Sequence, residues 1–340
     1  MSEVPLSIRL KRLLVKLRLH DVIAPIFAGT GAVLVFHRVQ HRDPGLSFAV
    51  NHRNSVAPES FCAVLDLLAA EGVAVVSLDE ALSRLHSRRA GRFVCLTFDD
   101  GYRDNYDLLL PIVQARRIPI TIYVATGLLD GSAALWWYGL DHVFSHESSV
   151  RLPLPRDVEV PTASRAEKDA AFAAAMRFMI NADRAASAGV VLALKERYSV
   201  DFNALAAAHM MTWGMVRELA ACPLVEIGAH TVSHQNLALL DKADACREMA
   251  ESRGRLEAAT GRAVRHFAYP FGTHAAVGSR EIRLAQSLGF SSAVTANPGN
   301  LFARHGSQVH SWPRHGVGPD DGPDALRLKL AGASRSLLAH

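Results

Sequence analysis

Cysteine is scarce and scattered. Cys62, Cys95, Cys222 and Cys246 are the only four in 340 residues, and no two form a Cys-x-x-Cys pair. This pattern leaves neither a disulfide framework nor a thiolate metal site, and fits buried free thiols in a reducing compartment. Long hydrophobic runs are also lacking. The longest uncharged apolar stretch, residues 22–36, is shorter than a bilayer requires and contains Pro25, Gly29 and Gly31. Arg9, Lys11, Arg12, Lys16 and Arg18 interrupt the place where the apolar part of a secretory signal would stand. The expected location is therefore cytoplasmic. Charge of one sign is lacking too: 37 Lys and Arg stand against 33 Asp and Glu, for a net +4, which gives no argument for nucleic acid as a partner. No internal repeat or low-complexity tract occurs.

What is present is enough apolar material, 49% of the chain, for one large α/β domain or two small ones. The basic charges cluster at the amino end. Leu6 to Leu19 alternates Leu, Ile and Val with Arg and Lys at helical spacing, which makes a basic amphipathic helix. Two readings stand: peripheral binding to an anionic membrane, at its inner face, or packing on the helix's own domain. Apolar runs at 32–36, 73–78, 93–98, 118–126, 224–228, 266–269 and 291–295 read as strands, separated by helical patterns such as 58–71, 79–88, 107–116, 212–221, 248–260 and 281–289. This alternation implies a parallel α/β sheet or barrel. The rhythm breaks from about 130 to 211, a helical insertion on the same domain. The organisation expected is a basic segment over 1–31, a catalytic domain over 32–318 and a tail over 319–340.

The most informative stretch is RFVCLTFDDGYRDN, residues 92–105. Residues 93–98 are apolar without a helical period, as in a strand buried on both faces. Asp99 and Asp100 then stand at its carboxyl end, where parallel sheets and barrels place their chemistry, and Gly101 lets the chain turn away. Asp-Asp-Gly is also ordinary turn chemistry, and both readings are open at this point. Asp104 and Asn105 are candidate helix N-caps. His37 and Arg38 end the strand at 32–36 at the same station.

His230 and His234 follow the strand at 224–228, four residues apart. Two imidazoles at i and i+4 on one turn can converge on one metal ion. With one carboxylate they make a three-ligand set with positions left for water, and a second carboxylate is free to act as a base. Trp136, Trp137 and Tyr138 open the insertion, where they either line a substrate groove or fill a core.

Three motifs in order carry a resemblance: TFDDG at Thr97 to Gly101, His-x-x-x-His at His230 to His234, and R-x-F-x-Y-P-x-G at Arg265 to Gly272. They resemble the first three motifs of the polysaccharide deacetylase (NodB-homology, carbohydrate esterase) family, over about 32 to 314. The resemblance implies an α/β fold, a distorted (β/α) barrel of about seven parallel strands with the helical insertion. It implies a metal-dependent hydrolase that removes N-acetyl groups from a saccharide, a polysaccharide or a lipid-linked precursor. It carries the metal ligands to Asp100, His230 and His234, the ion being divalent and most simply Zn2+, and the general base to Asp99. Tyr269, Pro270, Phe271, Gly272 and Trp137 are then candidates to bind substrate, with a backbone N–H of the 270–272 turn facing the oxyanion.

Two departures from the family pattern stand out. Ala268 occupies a position where many members have an arginine that braces the base; Arg314, in Trp-Pro-Arg, is the candidate replacement. The late Leu-x-His motif that supplies a general acid is missing. Members with a rearranged motif order carry a histidine after the first strand instead, which FHRV at Phe36 to Val39 resembles, so His37 is the candidate acid; its other reading is a strand cap. An O-acetyl esterase and a catalytically weakened glycan-binding protein are the competing functions.

Overall fold

The structure, a computed structural model, describes residues 15, 18–41, 54–87, 91–154 and 159–333. Its centre is a parallel sheet of β1 Gly31–Phe36, β2 Ala74–Val75, β3 Phe93–Phe98, β4 Ile120–Val124, β5 Val225–Ala229, β6 His266–Ala268, β7 Ser292–Val294 and β8 His315–Gly316. Seven strands follow the order β7-β6-β5-β4-β3-β1-β8, and β2 pairs with the start of β3. Val294 bridges Trp312 while Leu34 pairs with His315, so residues 312–316 touch both edges and roll the sheet into a distorted barrel. The expected α/β barrel of seven parallel strands is present.

The continuous apolar runs follow from burial on two faces. One side of the sheet, with Leu34, Val94, Leu96, Phe98, Ile122 and Phe267, packs under the helices. The other side, with Val33, Cys95, Tyr123, Ala268 and Val294, fills the barrel together with Trp312 and Leu301. Gly228 belongs to this interior because a Cβ there would meet the Tyr123 ring at 2.4 Å.

Several boundaries differ from the sequence reading. The strand expected over 73–78 contracts to Ala74–Val75, because Leu78 already starts the helix Leu78–Ser87 and packs into the barrel. The helix expected over 107–116 begins as a π turn, Asn105–Leu109, before Leu110–Arg116. Asp104 precedes that turn but does not cap it, since its carboxylate binds Arg38 and the Val39 N–H instead. Asn105 does not cap either: it is fully buried and its side-chain amide has no hydrogen-bond partner. The helix over 248–260 starts earlier, as Lys242–Thr260, because Asp241 accepts from the Asp244 N–H.

The insertion holds the helices Trp136–His146, Arg165–Asn181, Arg184–Tyr198 and Phe202–His209 and the hairpin of Ser149–Arg151 with Glu159–Pro161. It has a core of its own, including Leu140, Phe144, Phe172, Val190 and Leu194. A second apolar cluster, with Tyr102, Leu128, Leu135, Trp137 and Met210, joins it to the barrel. The segment read as a tail packs into the domain through Pro323–Leu330, which buries Leu326, Leu328 and Leu330. Most of Leu6 to Leu19 lies outside the described residues, as do 334–340. Among the described residues no helix is long and apolar enough to cross a membrane.

Candidate active site

The carboxyl ends of the strands converge on a cavity of about 260 Å3. Asp99 and Asp100 enter it from β3, His37 from β1, His230 and His234 from the loop after β5, Phe271 from the turn after β6, and Arg314 from the closing segment. Residues separated by much of the chain therefore meet because the strands are parallel and end on one face.

Asp100, His230 and His234 place one ligand atom each within 4.8 Å of the others. Asp100 Oδ1 lies 3.4 Å from His230 Nε2 and 3.2 Å from His234 Nε2, is buried, and accepts no hydrogen bond. His230 Nδ1 donates to the Ala268 carbonyl at 2.7 Å, which leaves Nε2 as the acceptor nitrogen aimed at the cluster. Burial opposes ionisation of Asp100, yet His234 and His230 outweigh it and hold the carboxyl well below 3.8. An orphaned carboxylate oxygen between two imidazoles is the donor set of a divalent cation, and the residues fit one.

The two histidines do not share a helical turn. They sit on a loop in which Thr231 (φ 65°) and His234 (φ 53°) are left-handed. The loop is held from outside: Glu248 accepts from the Val232 and Ser233 N–H groups at 2.9 Å each and from the Ser233 hydroxyl at 2.6 Å. Thr231 Oγ1 accepts from the His234 N–H at 3.0 Å. Asp100 (φ 77°) and Phe271 (φ 61°) are left-handed as well. Such backbones cost about 1–3 kcal/mol each and persist only where surrounding contacts over-determine them.

Asp99 does not join the cluster of three. Its two oxygens accept from Arg314 Nη1 and Nη2 at 2.7 Å each, and Arg314 is further fixed by the Thr295 carbonyl at 2.8 Å. Burial pushes the Asp99 carboxyl up, but Arg314 and then His230 bring it below 3.8. Arg314 thus pairs with Asp99, which the methyl side chain of Ala268 could not do. His37 faces Asp100, Asp99, Arg314 and His230; burial lowers its pKa, with the two carboxylates pulling against it.

After β6, the Gly272 N–H donates to the Pro270 carbonyl at 2.7 Å and closes a three-residue turn on Phe271. This leaves the Phe271 N–H without an acceptor among the described residues. Gly272 is required there, since its φ is 57° and a Cβ would meet the Ala296 nitrogen at 2.4 Å. Pro270 and Gly272 shape the turn and do not line the cavity. Tyr269 is among the residues that line it, but its ring packs against Phe267 in the helix-side core and its hydroxyl donates to the His310 carbonyl at 2.9 Å. Trp137 fills a core and also lines the cavity. It is buried in the junction core, donates from Nε1 to the Tyr102 hydroxyl at 3.0 Å, and lines the cavity with its ring 5.2 Å from that of His234. His310 and His315 face away, toward the Phe290 carbonyl and Asn300 Oδ1.

The sequence reading missed Tyr102, Met176 and Ile180 in the lining, and the anchor beneath it. Arg38 is buried, pairs with Asp104 at 2.7 Å, donates to the Tyr138 hydroxyl, and lies 4.8 Å from the Tyr102 ring centre. It ties the end of β1 to the insertion. The one signal available was Arg38 directly after His37 at a buried strand end.

The sequence pattern of the family described as polysaccharide deacetylase matches residues 86–151 and 173–293, more than half of the chain. The chain belongs to that family. Among solved structures, the Streptococcus pyogenes deacetylase PplD in complex with acetate superposes with a TM-score of 0.58 at 19% identity, over 88% of this chain and 97% of that one. IcaB from Ammonifex degensii gives a TM-score of 0.56 at 19% identity over 89% and 97%. A de-N-acetylase from Aggregatibacter actinomycetemcomitans gives 0.54 at 14% over 88% and 99%. At these identities the likeness establishes the fold. No curated protein matches this polysaccharide deacetylase-family chain.

Proposed function

We propose that this polysaccharide deacetylase-family protein is a metal-dependent hydrolase that removes N-acetyl groups from an amino-sugar-containing saccharide. The observation that carries the reading is the division of labour between adjacent carboxylates. Asp100 turns an unpartnered oxygen to two imidazoles, while Asp99 is locked by Arg314 beside them. Asp100, His230 and His234 would hold the ion, and one carboxylate with two imidazoles suits Zn2+. A divalent ion there supplies Lewis-acid polarisation and acidification of water.

The chain's own residues do the rest. Asp99, kept ionised and in one orientation by Arg314, accepts the proton of the attacking water. The Phe271 N–H is the donor available to the oxyanion of the tetrahedral intermediate. An amine leaves poorly unless protonated, and His37, which lines the same cavity as Asp99, is the proton donor. Burial disfavours its charged form while the neighbouring carboxylates favour it, so as negative charge develops beside it His37 takes up a proton from solvent and passes that proton to the leaving nitrogen.

Beside this cavity, a second of about 230 Å3 shares Trp136, His234 and Phe271 in its lining and adds length along the insertion. That length supports a saccharide of more than one sugar, and the structural neighbour from Aggregatibacter actinomycetemcomitans is a de-N-acetylase. A lipid-linked or membrane-proximal substrate is part of the proposal. The helix Leu19–Phe27 exposes Val22, Ile26 and Phe27, directly after the basic stretch of Leu6 to Leu19. In this reading the protein works at the inner, cytoplasmic face of the membrane.

The test is acetate release by the Zn2+-loaded protein. N-acetylhexosamine oligomers should yield acetate and O-acetylated xylan should not, and Asp99→Asn should keep its metal yet lose turnover. Release from the xylan alone would make the protein an esterase, and full activity in Asp99→Asn would remove that residue as the base. For the membrane, flotation with anionic vesicles should weaken with salt and with Ile26→Glu plus Phe27→Glu; no change in either case sinks that part.

A further inference from the structure

The opposite mouth of the barrel holds a second convergence of ligand atoms. His266 is the first residue of β6, Glu226 the second of β5, and Asp79 stands in the first turn of Leu78–Ser87. One ligand atom of each lies within 4.8 Å of the others. His266 Nε2 is 3.1 Å from Glu226 Oε1 and 3.4 Å from Asp79 Oδ1.

Two features separate this group from an ordinary surface ion pair. His266 is wholly buried, and its Nε2 makes no hydrogen bond although carboxylate oxygens stand so near; they lie off the direction in which an N–H would point. Ser292 Oγ lies 2.8 Å from Nδ1; in the tautomer in which the hydroxyl accepts the Nδ1 proton, Nε2 presents its lone pair to the two carboxylates. In that tautomer three acceptors face one another, an arrangement that a cation between them satisfies. The same signature, an unpartnered buried atom among imidazole and carboxylate, marks the Asp100 cluster at the other mouth. The carboxylates are already oriented: Arg265 binds Oδ2 of Asp79 and leaves Oδ1 inward, and Thr121 Oγ1 stands 3.4 Å from Oε2 of Glu226. Asp79 and Glu226 are 41% and 25% exposed in their side chains, so an ion reaches the site from solvent while the imidazole stays dry.

We propose that Asp79, Glu226 and His266 form a second divalent-metal site, structural in role, that fastens β5, β6 and the helix Leu78–Ser87 at the amino ends of the strands. A mixed imidazole and carboxylate set takes Zn2+ or Co2+. The site stands independently of the deacetylase reading, and the experiment keeps the two apart.

The full chain is stripped by chelator, loaded with Zn2+ or Co2+, passed through gel filtration and assayed for bound metal. Wild type should carry two ions per chain, and Asp100→Ala/His234→Ala one. Adding His266→Gln or the near-isosteric Glu226→Gln to that background should abolish the remaining ion, its Co2+ absorption band and the rise in Tm that Zn2+ produces. Glu226→Gln alone should leave acetate release unchanged. If the Asp100 cluster binds no metal, wild type and Asp100→Ala/His234→Ala will both carry one ion that His266→Gln removes, and the second site survives. A folded Asp100→Ala/His234→Ala protein that takes up no Zn2+ or Co2+, or one whose ion persists after Glu226→Gln, overturns it.

Discussion

Arg314 grips Asp99 through two parallel hydrogen bonds of 2.7 Å across 215 residues of chain, and both side chains are almost completely removed from solvent. Charge-assisted bidentate pairs of this kind fix geometry as well as charge. Removing one partner leaves the other as an uncompensated buried charge. Arg314→Met should therefore cost about 3–5 kcal/mol of stability in a denaturant titration. Arg314→Lys, with a single point of attachment, should not restore turnover. In Asp99→Asn/Arg314→Met the losses should be less than additive, and additivity would show that the pair is not coupled.

His37 is tested by changing the leaving group. His37→Ala should keep its metal and lose about 100- to 10,000-fold in amide turnover. The loss on an activated acetyl ester, whose leaving group departs without a proton, should be much smaller. Equal losses on both substrates would return His37 to the role of a strand cap.

Glu248 touches neither substrate nor cluster and acts through the loop that carries the two imidazoles. Glu248→Ala should weaken Zn2+ binding about 10- to 100-fold, as loss of outer support does in other metal sites. At saturating Zn2+ most of the turnover should return. A variant with unaltered metal affinity and lowered turnover would place Glu248 in the chemistry instead.

Acid stability should depend on His315. Burial and then Lys329 lower its pKa to about 4, against the ordinary 6.5, while Asp321 pulls weakly the other way. Between those values the unfolded chain binds a proton that the folded one does not, so stability is complete above 6.5 and falls as pH drops toward 4. The slope is about 1.4 kcal/mol per pH unit for one such group. His209 and His305, also near 4, add to it. The variant His315→Gln should flatten the dependence of Tm on pH by about one proton, and an unchanged slope refutes the assignment.

How much of this was legible in the sequence differs by element. β1 and β3 were readable because both faces are buried, so Leu34 and Val33, or Leu96 and Cys95, are apolar alike and no helical period appears. Asp99, Asp100, His230 and His234 were readable because parallel strands deliver whatever follows them to one face. The conformation of the histidine loop was not readable. Spacing of four implies a helical turn, whereas Thr231 and His234 take left-handed backbones that only Glu248 and neighbouring segments make tolerable. The anchoring role of Arg38 was invisible for a related reason: its partners Asp104 and Tyr138 lie 66 and 100 residues away, and nothing in a local window marks a buried ion pair. Asp104 was misread because capping chemistry and ion-pair chemistry use the same carboxylate.

The strand that closes the barrel also delivers Arg314. During synthesis, Asp99 leaves the ribosome 215 residues before its guanidinium partner. Until residues 312–316 dock between Val294 and Leu34, the sheet has two raw edges and Asp99 has no guanidinium partner. Sealing the barrel and arming the reaction centre are one event, governed by a contact of very high sequence separation and correspondingly slow to form. In the proposed mechanism a chain without that contact has an unpaired Asp99, so completion of the fold would act as its own activation step.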